Sequence, residues 1–216
     1  KENLKGDLEN LESFYKNRGF LKFNIDSSSV SLSEDKKNIF ITINISENDL
    51  FFNNEVSYAG DLPDAIDPFA IIQITQFIVP NNVFSQEALT YAEDQITSLM
   101  SNQGFSSAEV IASTEEAEKE NFVDITIFID PGQRTYVRKI NFSGNKRTHD
   151  VVLRREMRQM EGSWASDILI ENSKRRLDRL GYFKEVEYET SPVPGESDKI
   201  DINFTVEEEF SGSIAG

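Results

Sequence analysis

The chain has 216 residues, of which 38% are hydrophobic and 28% charged, a composition typical of soluble globular domains rather than disordered chains. Its formal net charge of −16 argues against nucleic acid as a partner, because that binding requires basic side chains that neutralise phosphates. The absence of cysteine excludes disulfides and thiolate metal sites, and no run reaches the roughly 18–20 apolar residues of a membrane-spanning helix.

The first 49 residues predict one helix followed by two strands. Apolar residues at spacings of 4, 4 and 3 mark one face of the helix: Leu4, Leu8, Leu11 and Tyr15. Gly19 is expected to end that helix, and a polar turn at 33–38 separates a strand beginning at Phe23 from an alternating strand at 39–45. We interpret this region as the end of a domain that begins before Lys1. Because a hairpin has little stability alone, we expect it to be the least stable part.

The second region, 50–132, predicts the order strand, helix, helix, strand, strand. Asp67-Pro68 is a typical helix start, Ser85 can cap the second helix, and Gly104 is expected to end it. The third region, 133–209, predicts the same order. The predicted strands and helices of this region are 135–142, 148–157, 166–180, 184–190 and 199–208.

Three Gly–aromatic steps indicate that one supersecondary unit recurs along the chain. They are Gly19-Phe20, Gly104-Phe105 and Gly181-Tyr182, with the glycines separated by 85 and 77 residues. The alternating apolar residues of 41–45 recur in phase at 125–129 and 202–206. The sequence therefore predicts an α+β fold of tandem β-α-α-β-β units, the first of which lacks its opening strand and helix.

Enzyme chemistry finds little support in the sequence, and we predict no catalytic, cofactor-binding or metal site. His149 is the only histidine and has no nucleophile motif beside it. The carboxylates cluster in turns, as solvated charges usually do. A carboxylate hydrolase remains the alternative of a different class, and it would require two acids that converge in a cleft.

Basic side chains concentrate in the last region, where residues 146–184 hold ten basic and six acidic side chains. Arg154 and Arg158 are four residues apart and are expected to share a helix face. This surface is either an ordinary solvated helix face or a docking site for an acidic protein partner or anionic headgroups.

Open sheet edges are the second candidate feature. A three-stranded sheet has edge strands whose free N–H and C=O groups can accept an extended peptide. In the last unit the candidate edge is 184–190, where Lys184, Glu185, Glu187 and Glu189 could also blunt it.

Three stretches of the last region carry a family resemblance: YVRKINFSGN at 136–145, LRREMRQMEG at 153–162 and RLGYF at 179–183. Together with the element order, they resemble the polypeptide-transport-associated (POTRA) domains of the factor that assembles β-barrels in the bacterial outer membrane. The resemblance covers the whole chain and implies two helices packed on a three-stranded mixed sheet in each domain. It divides the chain into a truncated domain (1–49), two complete domains (50–132 and 133–209) and a link into a membrane β-barrel (210–216).

The resemblance implies a non-enzymatic scaffold at the periplasmic face of the outer membrane. Such domains receive unfolded outer-membrane proteins, connect to the membrane β-barrel of their own chain, and dock accessory lipoproteins such as BamD; the last domain lies near the membrane surface. It implies no cofactor and no nucleic acid. The alternative within the same domain type is a related outer-membrane secretion transporter.

Two sets of site residues follow from the resemblance. Arg154, Arg158 and Glu161 are expected to contact the lipoprotein, and Glu161→Lys is expected to weaken that contact without unfolding the domain. A sheet edge near 23–30 is expected to take part in strand addition. The residues expected to form this edge are Phe23, Asn24, Ile25, Asp26 and Ser27.

Overall fold

The computed structural model describes residues 2–209, and the predicted link at 210–216 lies outside them. Within the described residues the chain contains five helices and eight strands. In chain order they are α1 (Glu2–Lys16), β1 (Asn24–Leu32), β2 (Ile39–Ser46), β3 (Phe52–Gly60), α2 (Pro68–Thr75), α3 (Gln86–Asn102), β4 (Glu109–Glu116), β5 (Phe122–Asp130), β6 (Tyr136–Ser143), α4 (Asp150–Glu156), α5 (Asp167–Asp178), β7 (Phe183–Val193) and β8 (Glu196–Glu208).

The order strand, helix, helix, strand, strand occurs twice, at β3–β5 and at β6–β8, which confirms the predicted α+β repeat. The described residues form two compact units. The first consists of 2–60, Pro68–Ile96 and Val110–Ile129, and the second of Asp61–Asp67, Thr97–Glu109 and 130–209. None of the helices in the described residues is long and apolar enough to cross a membrane.

The last sheet is mixed, with the order β6-β8-β7. Its central strand β8 pairs parallel to β6 and antiparallel to β7. Alternate residues of β8, Ile202, Phe204 and Val206, are buried in one cluster with Leu153 of α4 and Leu177 of α5. Burying a side chain of this size stabilises the fold by about 1.5–3 kcal/mol, so the two helices and one face of β8 form the core.

The middle sheet repeats this plan in the order β3-β5-β4, with β3 parallel to its central strand β5. Along β5, Val123, Ile125, Ile127 and Ile129 are all buried, as the predicted two-residue alternation requires. The strand pair β3–β5 ends in a close approach, because a Cβ on Gly60 would lie 2.1 Å from the carbonyl oxygen of Ile129.

The opening sheet has only two strands, β1 and β2, paired antiparallel from Asn24 with Ser46 to Leu32 with Ile39. Most residues of both strands are exposed. Helix α1 ends as predicted, with Gly19 at φ +93°, and Tyr15 of α1 stacks on Phe23 with ring centroids 4.2 Å apart.

Gly19 is also the centre of a joint inside the first compact unit. Its carbonyl oxygen accepts the N–H of Phe51 at 2.8 Å, and the Phe51 carbonyl accepts the N–H of Phe84 at 3.0 Å. The Asn17 side chain accepts the N–H of Glu87 at 2.9 Å, in the first turn of α3. The end of one helix is thus bonded to the beginning of the next strand and the next long helix.

The same joint recurs inside the second compact unit, around Gly104. The Gly104 carbonyl accepts the N–H of Thr135 at 2.7 Å, and the Thr135 carbonyl accepts the N–H of Ala165 at 2.9 Å. The Asn102 side chain accepts the N–H of Ile168 at 2.9 Å, in the first turn of α5. The Gly–aromatic steps at 19 and 104 therefore mark two copies of one hydrogen-bonded joint.

Candidate functional site

Arg154 and Glu161, two of the residues expected to contact a lipoprotein, lie together at the outer edge of β6. Their side chains form an ion pair with Nη1 of Arg154 3.2 Å from Oε1 of Glu161. The same Glu161 oxygen accepts the N–H of Ile140 at 2.8 Å, and Arg154 donates to the Ile140 carbonyl at 3.0 Å. The pair thus occupies both backbone groups of Ile140, as a neighbouring strand would.

The electrostatics of Glu161 follow from these contacts. The Ile140 N–H, which donates to the carboxylate, lowers the pKa of Glu161 most, and the nearby Arg154 guanidinium lowers it further. Both side chains are about half exposed, so a partner can reach them while they hold the strand edge.

The loop between α4 and α5 closes the first half of the same edge. Gly162 donates its N–H to the Val137 carbonyl at 2.7 Å, and the Val137 N–H donates to the Ser163 carbonyl at 2.9 Å. Gln159, which is fully buried, fixes the loop from inside by accepting the N–H of Ser166 and donating to the Trp164 carbonyl. The loop and the ion pair together form what we call the closed edge.

Arg158 does not belong to this group. The prediction that it shares a helix face with Arg154 is wrong, because α4 ends at Glu156 and the backbone is extended at Met157. Arg158 instead follows the helix and lines a cavity with arginines of α5, among them Arg176. The sequence grouped Arg158 with Arg154 because it predicted a helix through Met157, whereas α4 ends one residue earlier and the backbone then becomes extended.

The predicted site residues do not include the arginines of α5 and of the position that follows it. Asn172, Arg175, Arg176 and Arg179 occupy positions i, i+3, i+4 and i+7, which place their side chains on one side of the helix. This spacing can be read from the sequence, so it could have identified these side chains as one cluster.

The residues predicted for strand addition lie at the β1 edge, except that Phe23 precedes the strand and Asp26 lies at an irregularity. Within residues 2–209, β1 pairs with β2 on one side and with no strand on the other. The strand begins at Asn24, so Phe23 precedes it; the Phe23 N–H bonds to the Phe20 carbonyl and its ring is buried. The register shifts between Ile25 and Ser27, so Asp26 lies at an irregularity of the strand. The regular part of the edge starts at Ser27.

Strands β4 and β7 are the edge strands opposite β3 and β6. The predicted edge at 184–190 lies within β7. Its charged side chains are partly paired: Lys184 lies 3.1 Å from Glu207, and Glu187 lies 3.3 Å from Lys174. These pairs moderate the charge along β7.

One cavity brings two acids together, as the hydrolase alternative requires. A space of about 200 Å³ is lined by residues that include Glu208 and Glu209. The Glu208 carboxylate accepts the N–H groups of Thr148 at 2.7 Å and Arg147 at 3.0 Å, and these bonds lower its pKa, the Thr148 bond most. A carboxylate held ionised in this way suits a clamp between β8 and the loop before α4. In residues 2–209 no group of three or more His, Asp or Glu side chains is placed to hold a metal ion.

Comparisons with known proteins agree with this architecture. The family model described as "Surface antigen variable number repeat", POTRA, matches residues 1–48, 54–132 and 135–209. The "Outer membrane protein assembly factor BamA" of Neisseria meningitidis serogroup B is 31% identical over 208 residues, which cover 96% of this chain and 26% of that protein. The BamA of Buchnera aphidicola is 32% identical over 98% of this chain and 34% of its own length. The chain therefore spans about a quarter to a third of the curated relatives it matches.

Solved structures support the same assignment. The crystal structure of Haemophilus influenzae BamA POTRA3-5 matches with a TM-score of 0.75 and 29% identity, over 95% of this chain and 80% of that one. BamA of Haemophilus ducreyi lacking POTRA domains 1-3 matches with a TM-score of 0.65 and 33% identity, over 74% of this chain and 30% of that one. The chain belongs to the POTRA family, and its domains are similar to the POTRA domains of BamA.

Proposed function

We propose that this chain is the periplasmic scaffold region of an outer-membrane protein assembly factor. In this role it docks an accessory lipoprotein of the BamD type and hands unfolded β-barrel clients to a membrane barrel, partly by strand addition. The observation that carries the proposal is the asymmetry of the last sheet. The closed edge occupies the first half of the outer edge of β6 from within the domain, whereas β7 is the edge strand on the other side.

The strand-addition part of the proposal is supported by the chemistry of open edges. A client segment that pairs with β7 or β1 gains backbone hydrogen bonds with little demand on its sequence. This suits a protein that must handle many different unfolded chains. Charged side chains along β7 limit uncontrolled pairing, as edge strands of soluble proteins commonly require.

The lipoprotein part is supported by the closed edge. Arg154 and Glu161 are half exposed, rigidly held and of opposite charge, which are properties suited to a charge-paired protein contact. Because the Glu161 carboxylate also holds the Ile140 N–H, a partner that contacts Glu161 also contacts the loop that this bond positions.

An amide NMR titration tests both parts. The chain is titrated separately with an unfolded barrel-derived peptide and with the purified lipoprotein of the same organism. We expect the peptide to shift amides of β1 or β7, and the lipoprotein to shift amides of 148–165. A chain that responds to neither ligand would contradict the proposed function.

Two variants of Glu161 separate docking from folding. Glu161→Gln keeps an oxygen that can accept the Ile140 N–H but removes the charge, whereas Glu161→Lys removes the acceptor and places a cation beside Arg154. We expect Glu161→Gln to retain the wild-type amide spectrum and to weaken lipoprotein binding. Glu161→Lys should weaken binding further and should also shift loop amides in the free protein. Unchanged affinity of both variants would remove Glu161 from the contact.

A further inference from the structure

The last domain contains a cluster of arginines that the closed edge does not include. It lines a cavity of about 240 Å³ formed by α5, the residue that follows it and Arg158, which lies two residues after the end of α4. We call it the arginine cavity. Its lining residues are Arg158, Leu169, Asn172, Arg175, Arg176 and Arg179.

These guanidinium groups are poorly matched by acceptors. Within residues 2–209, the side chains of Arg158 and Arg179 make no hydrogen bond or ion pair, and Arg175 bonds to the Asn172 amide at 2.9 Å. Arg176 pairs with Glu156 at 2.6 Å, but its Nε is shielded from solvent and has no acceptor. The three cavity arginines that have no acidic partner within the described residues are therefore Arg158, Arg175 and Arg179.

The fold holds the cavity in place. The hydroxyl of Ser173, which is fully buried, accepts the N–H of Arg158 at 2.8 Å and that of Gln159 at 3.1 Å, and donates to the Leu169 carbonyl. The backbone at Arg158 is therefore fixed against α5. The helix fixes the spacing of the α5 arginines, so the backbone needs little rearrangement before a ligand binds.

The chemistry of the lining points to carboxylates. No acidic side chain lines the arginine cavity, although the chain as a whole carries a net charge of −16. Arg175, Arg176 and Arg179 lie within four residues of helical backbone, about 6 Å, since each residue adds about 1.5 Å. The basic groups thus form a row rather than a single point. A row of this length matches acidic side chains three or four residues apart on a partner helix, whereas one phosphate would occupy only one end.

We infer that the arginine cavity docks an acidic helical segment of a protein partner, whose Asp or Glu side chains pair with Arg158, Arg175 and Arg179. The inference rests on the proposed function in one respect, that the last domain is a docking surface for another protein. It places the main electrostatic attraction for the partner at α5, in a cavity distinct from the ion pair of the closed edge.

The test uses the whole 216-residue chain and an alanine-based helical peptide with glutamates at positions i, i+4 and i+7. We expect the peptide to shift the amides of 158 and 172–179. The double variant Arg158→Glu/Arg179→Glu should bind it at least about tenfold more weakly, a change of about 1.4 kcal/mol. The matched control is Arg155→Glu, which reverses an arginine that is 74% exposed on α4 and does not line the cavity. It should retain affinity within about twofold.

Three outcomes would overturn the inference. Equal weakening by the double variant and by Arg155→Glu would show a general charge effect. Shifts of the same amides by phosphatidylglycerol vesicles but not by the peptide would assign the cavity to a membrane surface, and shifts by inorganic phosphate alone would assign it to a small anion. If charge reversal disturbs the amide spectrum of the free chain, the double variant Arg158→Gln/Arg179→Gln is used instead. It should also bind the peptide more weakly than the Arg155→Glu control does.

The lipoprotein titration separates this inference from the proposed function. If the lipoprotein binds the wild-type chain and the double variant equally, the proposed function stands and the arginine cavity is not its docking point. If the acidic peptide binds the cavity but the lipoprotein does not bind the wild-type chain, the inference stands and the lipoprotein part of the function falls.

Discussion

Strands β2 and β8 have the same alternation of apolar and polar residues but lie in different environments. In β8, Ile202 and Phe204 are fully buried beneath α4 and α5. In β2, Ile39 and Ile41 are 65% and 53% exposed, and among the described residues the strand pairs only with β1. The difference shows that alternation determines which residues share a face, whereas the helices packed on that face determine whether it is buried.

The largest expected effect comes from removing matched side chains of the two strands. Ile202→Ala should lower the free energy of unfolding of the last domain by about 2–5 kcal/mol, because it leaves a cavity in a closed core. Ile41→Ala should cost less than about 1 kcal/mol, because most of its side chain is already in water. Urea unfolding followed by the fluorescence of Trp164, the single tryptophan, reports on the first variant, and amide exchange in β2 reports on the second. Equal losses of unfolding free energy in the two variants would contradict the conclusion that the packed helices determine burial.

Hydrogen exchange compares the two sheets without substitution. The amides of β2 should exchange at least about a hundredfold faster than those of β8, since a two-stranded sheet opens locally at low cost while β8 is the centre of a packed sheet. Native-state exchange monitored by NMR gives both rates in one sample. Protection of β2 as strong as that of β8 would refute the expectation that 1–49 is the least stable region.

A smaller effect on stability comes from the close contact between Gly144 and the backbone of β8. Gly144 has φ +86°, and a Cβ there would lie 1.9 Å from the Val206 carbonyl oxygen, whereas Gly162 has φ +80° and no heavy atom within 4 Å. Both alanine variants have the cost of a left-handed backbone, about 1–2 kcal/mol. Gly144→Ala should lose about 1–3 kcal/mol more, because the strand end must move. The Trp164 urea titration measures both, and equal losses would mean that β8 adjusts freely.

The smallest effect is on stability in acid. Arg138 donates to Asp201 of β8 in two bonds of 2.9 and 2.5 Å, and this interaction lowers the pKa of Asp201. Because the folded-state pKa is below the unfolded value, the stabilisation is present above about pH 4 and is lost as the pH falls through the folded pKa. Asp201→Asn should therefore lose less stability than the wild type between pH 6 and pH 3. Glu185→Gln, on exposed β7, is the control and should follow the wild type.

Much of the fold could be predicted because it depends on local signals. Strand alternation, the Gly–aromatic steps and the helix spacing predicted the order of elements, and that order is confirmed for both complete sheets. The position of β7 at an edge followed from the three-stranded plan. The joints at Gly19 and Gly104 extend this agreement, since the repeated glycines mark repeated hydrogen bonds.

The candidate site was less predictable because its contacts connect residues distant in sequence. The bond from the Ile140 N–H to Glu161 spans 21 residues, and nothing in the local pattern of either residue indicates it. The location of Arg158 depends on where α4 ends, and an error of one residue there moves its side chain to another surface. Side chains that bond to distant backbone groups therefore need the folded structure to be recognised.

The closed edge also limits how copies of this chain can associate. A sheet with two open edges could accept another copy on each side and polymerise without end. In the last domain, the loop and Glu161 occupy the first half of the β6 edge, so a second copy that pairs along a whole strand finds such a strand only at β7. Two copies joined through their β7 strands would leave only the second half of each β6 edge open on these two sheets. The closed edge therefore restricts growth of this sheet beyond a pair, which lowers the risk of edge-to-edge aggregation.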